Sequence, residues 1–198
     1  MAQYAEDLCC DISTALLGEE GCAKLSGGIE DVRLGCLKYF SWTENDCTTP
    51  STAYITAITA VDPSDGVTPV TPLYKINIKK KTGEHIFRYT YDEDTNTTKR
   101  EGSITFDVIA RDDTARCAFE EYIGQEVVVF FKYKGSDEWF VEGRQGGLRV
   151  RLIEGGSGTD TSRATSFEIS GDDMPVAYKR IFDTDTATTE TLVDGLTN

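Results

Sequence analysis

WFVEGRQGGLRVRLIEGGSGTDTSRATSFEI, residues 139–169, is the stretch whose reading decides the fold. A strand ends at Gly143, and Gly146-Gly147 turn the chain. Leu148, Val150 and Leu152 then alternate with Arg149 and Arg151. A small polar loop from Gly155 to Ser162 leads into a second alternating run that carries Phe167 and Ile169. A side-chain period of two is the mark of a half-buried antiparallel strand. Glycine supplies the positive φ that the turns need, and the Ser/Thr/Asp loop has nothing to bury. No residue in this stretch is suited to catalysis.

Working outward, the same period recurs. Ile29 to Phe40 reads as a strand opened by Ser26-Gly27-Gly28, and Tyr54 to Val61 is β-branched and Thr-rich. Residues 62–72 hold three of the five prolines and read as an exposed loop. Leu73–Lys79 and Ile86–Tyr91, with Thr82-Gly83 between them, read as a hairpin. On it Phe87, Tyr89 and Tyr91 share one face, Lys75, Lys79, Lys81 and Arg88 occupy the other, and Asp92 to Asn96 form a polar tip. Gly102 to Ala110 alternates again, and Gln125 to Tyr133 is strongly apolar. Both lack proline and are the expected sheet edges. Asp112-Asp113-Thr114 offer cap chemistry ahead of Ala115, Ala118, Phe119, Tyr122 and Ile123, so the spacing predicts one helix over 112–124, closed by Gly124. The expected fold is an all-β antiparallel sandwich or barrel with that one helix: an N-terminal, Cys-rich arm over 1–27, a single β-sandwich domain over 28–182 and a flexible acidic tail over 183–198.

The chain has 198 residues, enough for one β domain with a real core. Its net charge of −14 is uneven: residues 1–60 and 154–198 each carry nine acids and three bases, while 61–153 carry sixteen and fourteen. Such a chain is unsuited to gripping a nucleic acid backbone, which requires clustered Lys and Arg. The longest apolar run, Val127 to Phe131, is far short of a membrane-crossing helix, and the acidic first twenty residues lack the features of a secretion signal. Cys9, Cys10, Cys22, Cys36, Cys47 and Cys117 include no CxxC pair, and the lone histidine, His85, is remote from the N-terminal five in sequence. They read as reduced, mostly buried thiols rather than a metal or disulfide set. No catalytic, cofactor or metal residue is expected, and a single histidine weakens any mechanism that needs a His base.

The order of "FDVIARDDTARCAFEEYIG" (106–124), "EVVVFFKYK" (126–134), "WFVEGRQGGLRV" (139–150) and "GGSGTDTSRATSFEISGDD" (155–173), ending in Gly171-Asp172-Asp173-Met174-Pro175, resembles phage major tail tube proteins, particularly those of tailed phages of the Bacteroidetes. The resemblance spans roughly residues 73–181, and the Cys-rich first fifty residues depart from it. It implies a virion protein, assembled in the host cytoplasm, whose copies form stacked hexameric rings. Its partners are then itself, other tail or neck proteins, and double-stranded DNA that passes through the lumen without specific binding; no membrane is involved. An acidic wall would repel phosphates. Phe87, Tyr89 and Tyr91 are the expected interface on the hairpin, and Leu8, Ile12, Leu16, Leu192 and Val193 the anchors of the two arms. Two other readings are open: another virion ring, neck, terminator or head decoration protein of the same fold, and a β-sandwich enzyme or carbohydrate-binding module. The last would use Glu120, Glu121, Glu138 or Glu142 as paired carboxylates and Trp42 or Trp139 as sugar platforms. Trp139, beside Phe140 in a strand, reads more readily as core.

Overall fold

The computed structural model describes residues 28–44, 54–79, 82–94, 96–108, 122–155, 165–172, 174 and 178–198. They form an all-β sandwich of a seven-stranded and a four-stranded sheet, with one α-helix and one 3-10 turn, Leu37–Tyr39, among the described residues. The strands are β1 (Ile29–Cys36), β2 (Phe40–Glu44), β3 (Ile55–Ala60), β4 (Tyr74–Ile76), β5 (Glu84–Asp92), β6 (Thr97–Val108), β7 (Val127–Tyr133), β8 (Trp139–Glu142), β9 (Arg149–Gly155), β10 (Thr165–Gly171) and β11 (Lys179–Ile181), and the helix is α1 (Thr186–Gly195). The larger sheet has the order β2-β3-β11-β8-β7-β1-β4 and the smaller β5-β6-β10-β9. All neighbours are antiparallel except β11 and β3, which meet in parallel at Ile181 and Ile55.

The apolar run Val127–Phe131 explains the layering. Every residue of it is fully buried. Val127, Val129 and Phe131 face the core between the sheets, with Ile104, Phe106, Phe167 and Ile169 of the smaller sheet. Val128 and Phe130 face a second core on the far side, with Ile55, Trp139, Val141, Ile181 and Val193. A strand buried on both faces reads as a continuous hydrophobic run. Five such side chains contribute roughly 7–15 kcal/mol of gross stabilisation before ordering entropy is subtracted.

The glycine turn of 143–147 carries the chain from β8 in one sheet to β9 in the other. Gly143 has φ 82°, and a Cβ there would lie 2.6 Å from the Val127 carbonyl oxygen, so both conformation and space require glycine.

Several expectations are corrected. Leu73–Lys79 and Ile86–Tyr91 are not one hairpin. β4 pairs with β1, whereas β5 pairs with β6 across the polar tip. Leu73 belongs to the far core and Ile76 to the inter-sheet core, so Tyr74–Ile76 stays with the larger sheet, while Ile78 at the end of the run bridges to Val108 of β6. Just before β5 the Gly83 carbonyl accepts from the Ile29 amide of β1 at 2.9 Å, and the Lys79 amide donates to the Asp107 carbonyl of β6 at 2.7 Å, so the link between the two runs touches both sheets. Gln125–Tyr133 and Gly102–Ala110 are not edges: β7 lies between β1 and β8, and β6 between β5 and β10. The C-terminal tail is not flexible but folded. The Asp185 side chain caps α1 by accepting from the Thr188 amide at 2.7 Å, and Val193 is fully buried. The helix predicted over 112–124 falls outside the described residues apart from Tyr122–Gly124, a turn in which Ile123 bridges to Val150.

Candidate functional site

The smaller sheet projects a ribbon past the sandwich. β6 pairs with β5 from Glu84↔Thr105 to Asp92↔Thr97, but with β10 only as far as Gly171↔Gly102. Beyond Gly102 the β5–β6 hairpin is therefore two-stranded. Alternation places His85, Phe87, Tyr89 and Tyr91 on the face turned toward the other sheet. Only His85 reaches the interior. Phe87, Tyr89 and Tyr91 overhang and are 45%, 47% and 56% exposed, and Ile86 on the opposite face is 49% exposed. Phe87 packs against Tyr178 at 5.2 Å, and the Arg100 guanidinium lies 6.0 Å from the Tyr89 ring. Tyr91 donates its hydroxyl to the Asn96 side chain, and Asn96 turns the tip with φ 52°.

The three expected hairpin aromatics are thus brought together on an open surface, and Ile86 joins them. Of the basic face expected there, Arg88 alone lies on the ribbon; Lys75 sits on β4, paired with Asp31 at 3.3 Å. Leu192 and Val193 belong to the subunit's own far core instead of an open surface. Leu8, Ile12 and Leu16, like Lys81, lie outside the described residues.

Behind the ribbon's base is a polar cluster that sequence reasoning missed. His85 from β5, Arg100 from β6, Tyr133 from β7 and Glu142 from β8 meet between the sheets. The side chains of His85 and Glu142 are fully buried and that of Arg100 is 4% exposed. Glu142 accepts from Arg100 through one oxygen and stands 2.5 Å from His85 Nε2 through the other. A carboxylate only accepts, so Nε2 carries the hydrogen. In the neutral ring Nδ1 then accepts the Tyr133 hydroxyl at 2.6 Å. Burial, with Tyr178 and Glu142 close by, raises the Tyr133 phenol far above its ordinary value and keeps that proton in place. Phe131 at 4.6 Å and an edge-on Tyr178 at 4.9 Å enclose the imidazole. A Cβ on Gly102 would lie 2.6 Å from Glu142 Oε1, so the glycine makes room for the carboxylate. A signal was available: counting back by two from Phe106 and Ile104 through Gly102 puts Arg100 on the buried face.

A Tyr–His–Glu chain resembles a proton relay, but its histidine and carboxylate have no opening to solvent. It acts as a clamp between the sheets. The proposed glycosidase carboxylates do not pair: Glu142 is in the clamp, Glu138 is bound to Arg180 at 2.8 Å, and Glu120 and Glu121 lie outside the described residues. Trp139 is fully buried, as read from sequence, and Trp42 stacks on Phe40 at 5.5 Å. A surface depression of about 570 Å³ is bordered by Glu30, Asp31, Lys75, Lys132, Ser136 and Asp137, and its lysines are drawn into ion pairs, Lys75 with Asp31 and Lys132 with Glu190. Among the described residues there is no cluster of three metal-ligating side chains and no helix long and apolar enough to cross a membrane. Compared with known proteins, the chain matches no family model, no curated sequence and no solved structure.

Proposed function

We propose that this chain is a virion structural protein of the major tail tube class, whose copies join side by side into rings that stack into a tube. The observation that carries the reading is the smaller sheet with its two outer strands. Three successive antiparallel pairings make β5 and β9 run in opposite directions. Copies related by rotation then set β5 of one antiparallel to β9 of the next, and the sheet continues around a closed ring without a mismatch. This is a heterologous contact, the kind that closes rings.

Both edges suit it. β5, EHIFRYTYD, has neither proline nor lysine, the usual devices that blunt an exposed edge, and it carries four of the large exposed apolar side chains. On β9, Arg149 and Val150 are bridged to Glu126 and Ile123, while Arg151–Gly155 has no strand beyond it among the described residues. Ile123, 55% exposed, stands beside that edge. The smaller sheet's outer face would line the lumen. It presents short Ser103, Thr105, Ser166 and Ser170 among Glu84, Glu101, Asp107 and Glu168 and the bases Arg88, Lys99, Arg149 and Arg151. Among the described side chains of this face four acids stand with four bases, which gives DNA no basic track to bind.

The test is negative-stain microscopy and light scattering on wild-type protein and Phe87→Asp. Rings or tubes are expected from the wild type. The variant should be a folded monomer, because Phe87 is half-exposed and a charge there costs the free subunit little. A wild type that stays monomeric at millimolar concentration would overturn the proposal.

A further inference from the structure

Helix α1 is seated in an unusual way for an element that covers a core. Residues 183–198 contain Asp183, Asp185, Glu190 and Asp194 and no Lys or Arg. Asp194 pairs with Arg33 at 2.6 Å, and Glu190 lies 3.6 Å from the same guanidinium. Glu190 also accepts from Lys132 at 2.8 Å and from the Trp139 indole N–H at 2.7 Å. Thr197 accepts from Arg33 Nη1 at 2.7 Å. Both cations lie over the Trp139 ring, Arg33 at 4.6 Å and Lys132 at 5.0 Å. Val193 and Leu196 are buried, with Leu192 beside them, and Leu73 donates its amide to the Leu196 carbonyl at 3.0 Å and accepts from the Asn198 amide at 2.9 Å. Beneath is the apolar face of Leu73, Phe130, Trp139 and Val141.

Three physical points follow. A ten-residue helix of sequence TATTETLVDG is too short and too Thr-rich to persist alone, so its order depends on the seat. Its docking carboxylates are within reach of water, Glu190 being 36% and Asp194 59% exposed, so dissolved ions can screen them. Finally, the partners of both terminal nitrogens of the buried Arg33 belong to the C-terminal segment. When that segment leaves, this end of the guanidinium meets water, and Asp31, 3.9 Å from Arg33 Nε, remains beside it. Release therefore strands no charge in an apolar interior.

We propose that residues 186–198 are an ionic latch that opens as a unit, ahead of the sandwich, when salt screens Glu190 and Asp194 or acid neutralises Glu190, and that opening uncovers the apolar face of the larger sheet. The charged groups facing the two carboxylates are Arg33 of β1 and Lys132 of β7; Asp31 of β1 faces Arg33 and is itself paired with Lys75 of β4. Burial opposes ionisation of Glu190, but hydrogen bonds from Lys132 and Trp139 outweigh it and hold the carboxyl below 4.5. Its contribution is thus present above that value and disappears as pH falls through the lowered one. The latch stands apart from the ring reading, since it concerns the opposite side of the larger sheet.

The experiment is amide hydrogen exchange on the full chain at neutral pH, at about 50 mM and about 1 M NaCl, a range over which screening of exposed ion pairs becomes nearly complete. Protection of 186–198 should fall about tenfold in high salt while β7 amides keep theirs. Glu190→Gln should show the lowered protection already in low salt and lose most of the salt response. Protection of 186–198 that ignores salt, that falls only together with β7, or that is the same in Glu190→Gln as in wild type would overturn the latch.

Discussion

Replacing Glu142 with Gln keeps the shape of the side chain and removes one charge. The wild-type carboxylate is fully buried and faces two donors, the Arg100 guanidinium and His85 Nε2–H. An amide has one oxygen and one NH₂ group, so with the hydrogen on Nε2 a donor meets a donor whichever way it turns, and relief requires the imidazole to change tautomer at the expense of the Tyr133 bond. The guanidinium also loses the carboxylate it faces. Removing one member of a buried ion pair costs about 3–5 kcal/mol. A domain of this size is stable by about 5–15 kcal/mol in total. At roughly 2–4 °C per kcal/mol, the thermal midpoint should fall by about 6–20 °C. The double variant Glu142→Leu with Arg100→Met removes both charges together and should recover most of the loss, because paired apolar replacements are often close to neutral. Urea unfolding followed by tryptophan fluorescence, with a common slope for the three proteins, measures both differences. If Glu142→Gln loses less than about 1 kcal/mol, or the double variant is as damaged as the single one, the cluster is not a dry, charge-balanced clamp and the reasoning fails.

Other outcomes are expected from the same structure. Gly102→Ala sets a Cβ 2.6 Å from Glu142 Oε1 and 2.9 Å from Met174 Sδ, and thermal unfolding should show a loss of about 2–3 kcal/mol, because the carboxylate is tied on both sides and cannot step back. Val193→Asp puts a charge where the side chain is fully buried; α1 should undock, seen as lost protection over 186–198 while the β7 amides stay protected. Acid should weaken the fold through Glu44 as well as Glu190. Burial works against ionisation of Glu44, but hydrogen bonds from Arg144 and Lys179 prevail and hold it below 4.5. Unfolded chains bind those protons first as pH drops, so stability should decline from about pH 5 downward in urea titrations, and Glu44→Gln should flatten that decline.

The parts of the fold visible in the sequence are those in which neighbours along the chain carry the information. Alternation in 102–108, 148–150 and 165–169 marks strands whose one face is buried, and the structure has β6, β9 and β10 there, although a bulge in β9 pairs Leu152 with Glu168 instead of continuing the register of Val150. The glycines at 143, 146 and 147 mark the passage between sheets, and all three have positive φ. Pairing is another matter. Leu73–Lys79, Thr82-Gly83 and Ile86–Tyr91 satisfy every local rule for a hairpin, yet the strands go to different sheets. Their choice is decided by β1 and β6, which lie elsewhere in the chain, and the Ile29 amide, not a cross-strand neighbour, takes the Gly83 carbonyl. The C-terminal segment is hidden for the same reason. By itself TATTETLVDG is a poor helix, and its partners are distant in the chain: Arg33, more than 150 residues away, Lys132, and the far core that buries Val193.

The clamp shows how much of a site parity alone can recover. Starting from Phe106 and Ile104, the period of two makes Arg100 a buried residue, and starting from Phe87 it puts His85 on the same face. A buried arginine demands a counter-charge, and the only histidine of the chain nearby narrows the search to a carboxylate on a strand of the opposing sheet. Glu138 and Glu142 are both offered by the strand after Gly135. Parity alone puts both on the side of Phe140, because Trp139 and Val141 turn to the far core. Gly102 settles it: a strand position opposite Phe87 with no side chain is wasted unless something large needs the space, and the Glu142 carboxylate fills it. The clamp and the ribbon are thus one feature. Charges buried at the base hold the two sheets together at the point where the hairpin leaves them, and that anchorage is what allows Phe87, Tyr89 and Tyr91 to stand exposed beyond the sandwich.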